Sequence, residues 1–200
     1  MMDFNDATGK QRSLDLIPHG TIATVQIKVR PGTAGEGGWL KRSKDGNSEA
    51  LDLELTVIGG PYDKRKLWDL MTLGGTTDRH AQAMEISRAK LCAILECARG
   101  VRPNDTSEAA RQARHLNSYG DFDGLRFIAK IGIEKGAAKP NGDGQFPDKN
   151  RLLEIITPDR KEWQKIDQPP PQPTAAPGAL VTPPPSTNSG EVVRRPDWSK

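Results

Sequence analysis

Three aromatic residues in this chain stand beside clusters of cations. Trp39 precedes Lys41, Arg42 and Lys44; Tyr62 precedes Lys64, Arg65 and Lys66; Trp68 follows Lys66. Ring faces stack on bases, while ammonium and guanidinium groups take phosphate oxygens. The residue types suit a ligand made of phosphates and bases. Further cations flank two loops: Lys28 and Arg30 before the first, and Lys135, Lys139, Lys149 and Arg151 around the last. These residues, with the three aromatics, are the candidate ligand-binding set. Each has a plainer reading: a strand tryptophan is commonly core, and loop cations are commonly solvated surface. Phase helps at Trp68, because Lys66 shares its strand face and marks that face as wet.

Other chemistries lack support. Gly35-Glu36-Gly37-Gly38 is followed by no Gly-Lys-Ser/Thr and opens no helix, so it is not a phosphate-binding loop. Gly74-Gly75-Thr76-Thr77-Asp78 precedes a helix, and a turn with a cap accounts for it. Asp52 and Glu54 share a strand face, where they can oppose Lys28 and Arg30 as cross-strand ion pairs. No Ser-His-Asp or Cys-His signature is present. His19, His80 and His115 are scattered, and Cys92 and Cys97 on one helix point apart, so neither a metal site nor a mutual disulfide is expected. No catalytic residue, metal or cofactor is assigned, and the chain reads as a non-enzyme.

Positioning falls to alternating strands. Thr21–Arg30 puts Val25, Ile27 and Val29 on one face and Gln26, Lys28 and Arg30 on the other. A loop over 31–48 follows, expected to be flexible and to expose Trp39. A second strand, Glu49–Ile58, carries Leu51, Leu53, Leu55 and Val57 on one face. A turn at Gly59–Lys64 leads to a third strand, Arg65–Leu73. Helical spacing predicts a helix from Thr77 or Asp78 to Gly100, and a shorter one over about 106–116. A fourth strand, Leu125–Glu134, sets Ile128 on the face of Arg126 and Lys130. A loop over 135–150 then precedes a fifth strand, Arg151–Thr157.

The fold class is therefore mainly β with one or two helices, an α+β chain in the order β-β-β-α-(α)-β-β. A five-stranded OB-like barrel fits that order, its first and last loops framing one binding face. The alternative is an open sheet with the helix on one face.

The chain has 200 residues with a formal net charge of +3, so any basic groove is local rather than global. The domain is expected at 13–167, after a polar lead-in at 1–12. A disordered proline-rich tail is expected at 168–200, with Pro169-Pro170-Pro171-Gln172-Pro173 and Pro183-Pro184-Pro185. No signal peptide or membrane span is evident in the sequence, and reduced thiols point to a cytoplasmic setting.

Several runs carry a resemblance: Leu14-Asp15-Leu16-Ile17-Pro18-His19-Gly20-Thr21, Gly60-Pro61-Tyr62-Asp63-Lys64-Arg65-Lys66-Leu67-Trp68, Glu85-Ile86-Ser87-Arg88-Ala89-Lys90-Leu91 and Phe122-Asp123-Gly124-Leu125. Together they resemble a phage- and prophage-encoded family of small domains, long known only as a domain of unknown function. Its members lie among replication and recombination genes. The resemblance covers about residues 13–160. It implies an accessory single-stranded DNA-binding protein of phage replication or recombination, in the cytoplasm of a bacterial host. It brings no catalytic residues. The tail would be the place to meet phage recombination or replication proteins, and self-association into a homo-oligomer stays open. The chain ends Arg194-Arg195-Pro196-Asp197-Trp198-Ser199-Lys200, not in the acidic tip of bacterial single-strand binding proteins. The competing reading is a structural adaptor whose β scaffold presents a proline-rich tail to a protein partner.

Overall fold

The computed structural model describes residues 15–169, apart from residues 141 and 143, together with Pro177. The lead-in at 1–12, and the tail beyond Pro169 except Pro177, lie outside the described residues. The elements in chain order are β1 (Thr21–Arg30), β2 (Lys41–Arg42), β3 (Ser48–Val57), β4 (Lys66–Gly75), α1 (Asp78–Arg99), α2 (Glu108–Arg114), β5 (Arg126–Glu134) and β6 (Lys149–Ile155). Single 3-10 turns occur at Glu36–Gly38 and Tyr119–Phe122.

Alternation decides what each strand buries. Val25, Ile27 and Val29 of β1 stand opposite Val57, Leu55 and Leu53 of β3, and all six are buried. Leu67 and Met71 extend this layer across β4, and Phe127 extends it across β5 opposite Val25. Helix α1 covers this core with Leu91, Ile94, Leu95 and Ala98. The Thr77 hydroxyl accepts from the His80 N–H at 3.3 Å, and Gly100 at φ 68° ends the helix in the left-handed region. α2 is tied to α1 by the Arg114 Nε, 2.8 Å from Glu96 Oε1.

The sheet is antiparallel throughout. It runs β2-β3-β1-β5-β6, with β4 on the other edge of β3. The expected closed five-stranded barrel is not formed: this is one open six-stranded sheet with two helices. Closure would bring β4 and β6 to about 4.8 Å and pair them. Instead Lys90 of α1 reaches the β4 side of that space and binds Asp69 at 3.1 Å. The sixth strand, β2, is too short to show any alternation in sequence.

Two details differ from the alternating pattern. Ile128 is buried (2 % exposed) rather than sharing an outer face with Lys130, because α1 packs against β5 here, where the Ile128 N–H donates to the Cys97 sulfur at 3.2 Å. The segment after β6 also returns to the domain. Trp163 Nε1 donates to the Cys97 carbonyl at 3.2 Å. The Gln168 amide accepts from Arg126 N–H at 2.8 Å and donates to the carbonyls of Arg126 and Ala98. Gln168, expected as the first tail residue, is thus fastened to the fold. Among the described residues, no helix is long and apolar enough to cross a membrane.

Candidate nucleic-acid interface

The outward positions of β1, β3 and β4 form rows across the sheet. Lys28, Glu54 and Trp68 make one row; Arg30, Asp52 and Leu70 make the next. The carboxylates hold the middle column. Arg30 and Lys41 both converge on Asp52, at 3.5 and 2.5 Å. Lys66 Nζ lies 2.6 Å from Glu54, and that hydrogen bond holds the Glu54 carboxyl below its usual range. The expected facing of Asp52 and Glu54 with Arg30 and Lys28 is therefore present in the register.

Between the facing edges of β4 and β6 lies a groove of about 400 Å³. Trp68 and Leu70 line it from β4, Lys149 and Arg151 from β6, and Lys90 from α1. Trp68 is 53 % exposed and Leu70 59 % exposed, so both present apolar surface to solvent. Asp52, Asp69 and Glu134 share the lining. Lys149 pairs with Glu134 at 3.6 Å, whereas Arg151 forms no ion pair among the described residues. Exposed pairs of this kind contribute about 0–1 kcal/mol, so an arriving phosphate can exchange for a carboxylate at little cost.

The loop over 31–48 does not behave as expected. It folds back on itself: Ala34 and Leu40 exchange backbone hydrogen bonds at 2.8 and 2.9 Å. A side chain at Gly32 would stand 2.0 Å from the Leu40 carbonyl oxygen, so the turn back requires glycine there. Folding back buries Trp39, only 5 % exposed, as well as Leu40. Trp39 is thus a core residue rather than an exposed stacking ring. Arg42 is taken up by Glu49 at 2.8 Å.

The remaining candidates are spread out. Tyr62 is half-buried and packs against the core. Arg65 donates to the Asp15 carbonyl. Lys135 binds Asp148 at 2.7 Å, which holds that carboxyl low. Lys44, Lys64 and Lys139 form no ion pair among the described residues, and none of them lines the β4–β6 groove. The structure thus gathers Trp68, Lys149 and Arg151 into one groove, brings Arg30 and Lys41 to its edge through Asp52, and sets Lys28 and Lys66 together with Glu54 in a separate groove. Leu70 and Lys90 also belong to the groove between β4 and β6. Leu70 shares Trp68's strand face, a signal readable in the alternation; nothing local in sequence could place Lys90 there.

The arrangement offers one open ring face, an adjacent apolar side chain and a few cations within one groove. It can hold a base by stacking and the neighbouring phosphates by charge. Protein-family models, curated proteins and solved structures contain no match to the chain.

Proposed function

We propose that the chain binds single-stranded DNA, without catalysis, along the groove between β4 and β6. The observation that carries this reading is Trp68, half exposed and lining one groove with Lys149 and Arg151. A stacked base needs an open ring face, and only an unpaired strand offers its bases freely. The strand order and the helix between β4 and β5 suit an OB-type domain left unclosed at the β4–β6 edge, an architecture used for oligonucleotide binding. Service in phage or prophage replication or recombination follows from the resemblance of the runs quoted above.

Anisotropy of a labelled oligothymidine tests the reading. The full-length protein should bind it, and Trp68→Ala and Arg151→Glu should each weaken binding while a melting scan stays near wild type. Preference for duplex, or full binding by Trp68→Ala, would sink the assignment of this groove.

A further inference from the structure

Another groove, of about 460 Å³, lies between the folded-back first loop and the Tyr119–Phe122 turn. It shares no lining residue with the groove between β4 and β6. Three rings line it: Trp39 and Phe122, both buried, and Tyr119, half-buried. Among the described residues its one charged lining side chain is Glu36, and no lysine, arginine or histidine lines it. The chain as a whole is net positive, so this groove carries the opposite sign. Glu36 is exposed and forms no ion pair among the described residues. By contrast Asp52, Glu54, Asp69 and Asp148 each hold a lysine.

Both rims are built before any ligand arrives. Glu36 starts the Glu36–Gly38 turn, which the Gly32 N–H ties down by donating to the Gly38 carbonyl at 3.1 Å. On the other rim the Asp121 carboxylate accepts from the Asn117 and Ser118 N–H groups at 2.8 and 3.2 Å. A ligand therefore pays little to order the site. Ring faces attract cations, and an unpaired carboxylate beside them adds to that attraction. A phosphate would meet Glu36 with no cation to offset it, so this groove does not extend the proposed nucleic-acid site. Among cations a guanidinium fits best: it is flat, weakly hydrated, stacks on rings and forks its donors toward a carboxylate. The volume leaves room for a whole side chain and the residues flanking it. From these features we infer that the groove docks an arginine-bearing segment of a protein partner, the guanidinium lying against the aromatic lining and pairing with Glu36.

Nuclear magnetic resonance of the full-length protein tests this. The chain has two tyrosines, so the Tyr119 ring signals are assigned by their disappearance in Tyr119→Phe, and Tyr62 serves as the internal control. Acetylated, amidated Gly-Arg-Gly should shift the Tyr119 signals saturably in the millimolar range and leave those of Tyr62 in place. The same peptide with citrulline, the neutral isostere of arginine, should not. Glu36→Gln, a change at an exposed side chain, should weaken the peptide several-fold while a melting scan stays near wild type. Absence of a saturable shift overturns the proposal, as does equal binding of the citrulline peptide or unchanged affinity in Glu36→Gln. Agmatine, a guanidinium without a peptide, should bind more weakly than Gly-Arg-Gly. Equal affinity would make a free small cation the ligand and overturn the docking of a protein segment. Oligothymidine affinity is a separate readout, so loss of the DNA reading would leave this result intact.

Discussion

The indole of Trp39 occupies the space where a side chain at Gly120 would stand. A Cβ added there would lie 2.4 Å from Trp39 Cζ2. The first loop and the turn before β5 are thereby packed ring against backbone, far apart in sequence and adjacent in space. Gly120→Ala should therefore cost about 1–3 kcal/mol of stability through overpacking. Trp39→Ala should cost about 3–5 kcal/mol, as a buried aromatic truncation does. Chemical denaturation of both variants checks this, and a near-neutral Gly120→Ala would refute the contact.

Trp68 is expected to behave in the opposite way. Its truncation should leave the denaturation midpoint close to wild type, because half of the side chain already faces water. Binding of single strands should fall by about 1–3 kcal/mol, the contribution of one stacked base. The groove carries the cations Lys90, Lys149 and Arg151. If these take the phosphates, the log–log salt slope should be near −2, at about −0.7 per phosphate on a single strand. A slope steeper than about −5 would mean that dispersed loop cations, such as Lys44 and Lys64, do most of the binding.

Gln168 should matter more to stability than any residue after it. Gln168→Ala removes three hydrogen bonds and leaves the Arg126 N–H without its acceptor. A loss of about 1–3 kcal/mol is expected, and a chain ending at Asp167 should melt below one ending at Pro169. Equal melting temperatures would place the domain boundary before Gln168.

Cys97 gives a pH dependence of known sign. Burial pushes its thiol up to about 11. In the unfolded chain a thiol ionises near 8.5. Between those values the unfolded state has lost a proton that the folded state keeps, so Cys97 makes stability fall as pH rises from about 8.5 towards 11. Cys97→Ala should flatten that part of the stability curve. At pH 8 the folded thiol should also be alkylated at least about a hundredfold more slowly than in denaturant, since only the thiolate reacts.

What could be read from sequence was whatever has a short period. The faces of β1 and β3 and the limits of α1, from Thr77 to Gly100, follow from alternation and caps that any ten-residue window displays. The fate of Trp39 was not readable that way. Glycine-rich loops with cations read as mobile, but Gly32 permits a close approach that folds this loop shut over its own tryptophan. Ile128 shows the same limit. Alternation assigns it outward, whereas α1 covers that side of β5 and makes it core. Closure of the barrel was a matter between β4 and β6, two strands separated by the whole helical section. No local pattern reports whether such edges meet.

Among the described residues, the unclosed sheet leaves the outer borders of β4 and β6 without strand partners. Bare borders of this kind recruit strands from other molecules and grow into fibres unless something deters them. Lys66 and Asp69 stand on one border, Lys149 and Arg151 on the other. An arriving strand would have to strip water from all four. Charged side chains on both borders therefore oppose the addition of a further strand.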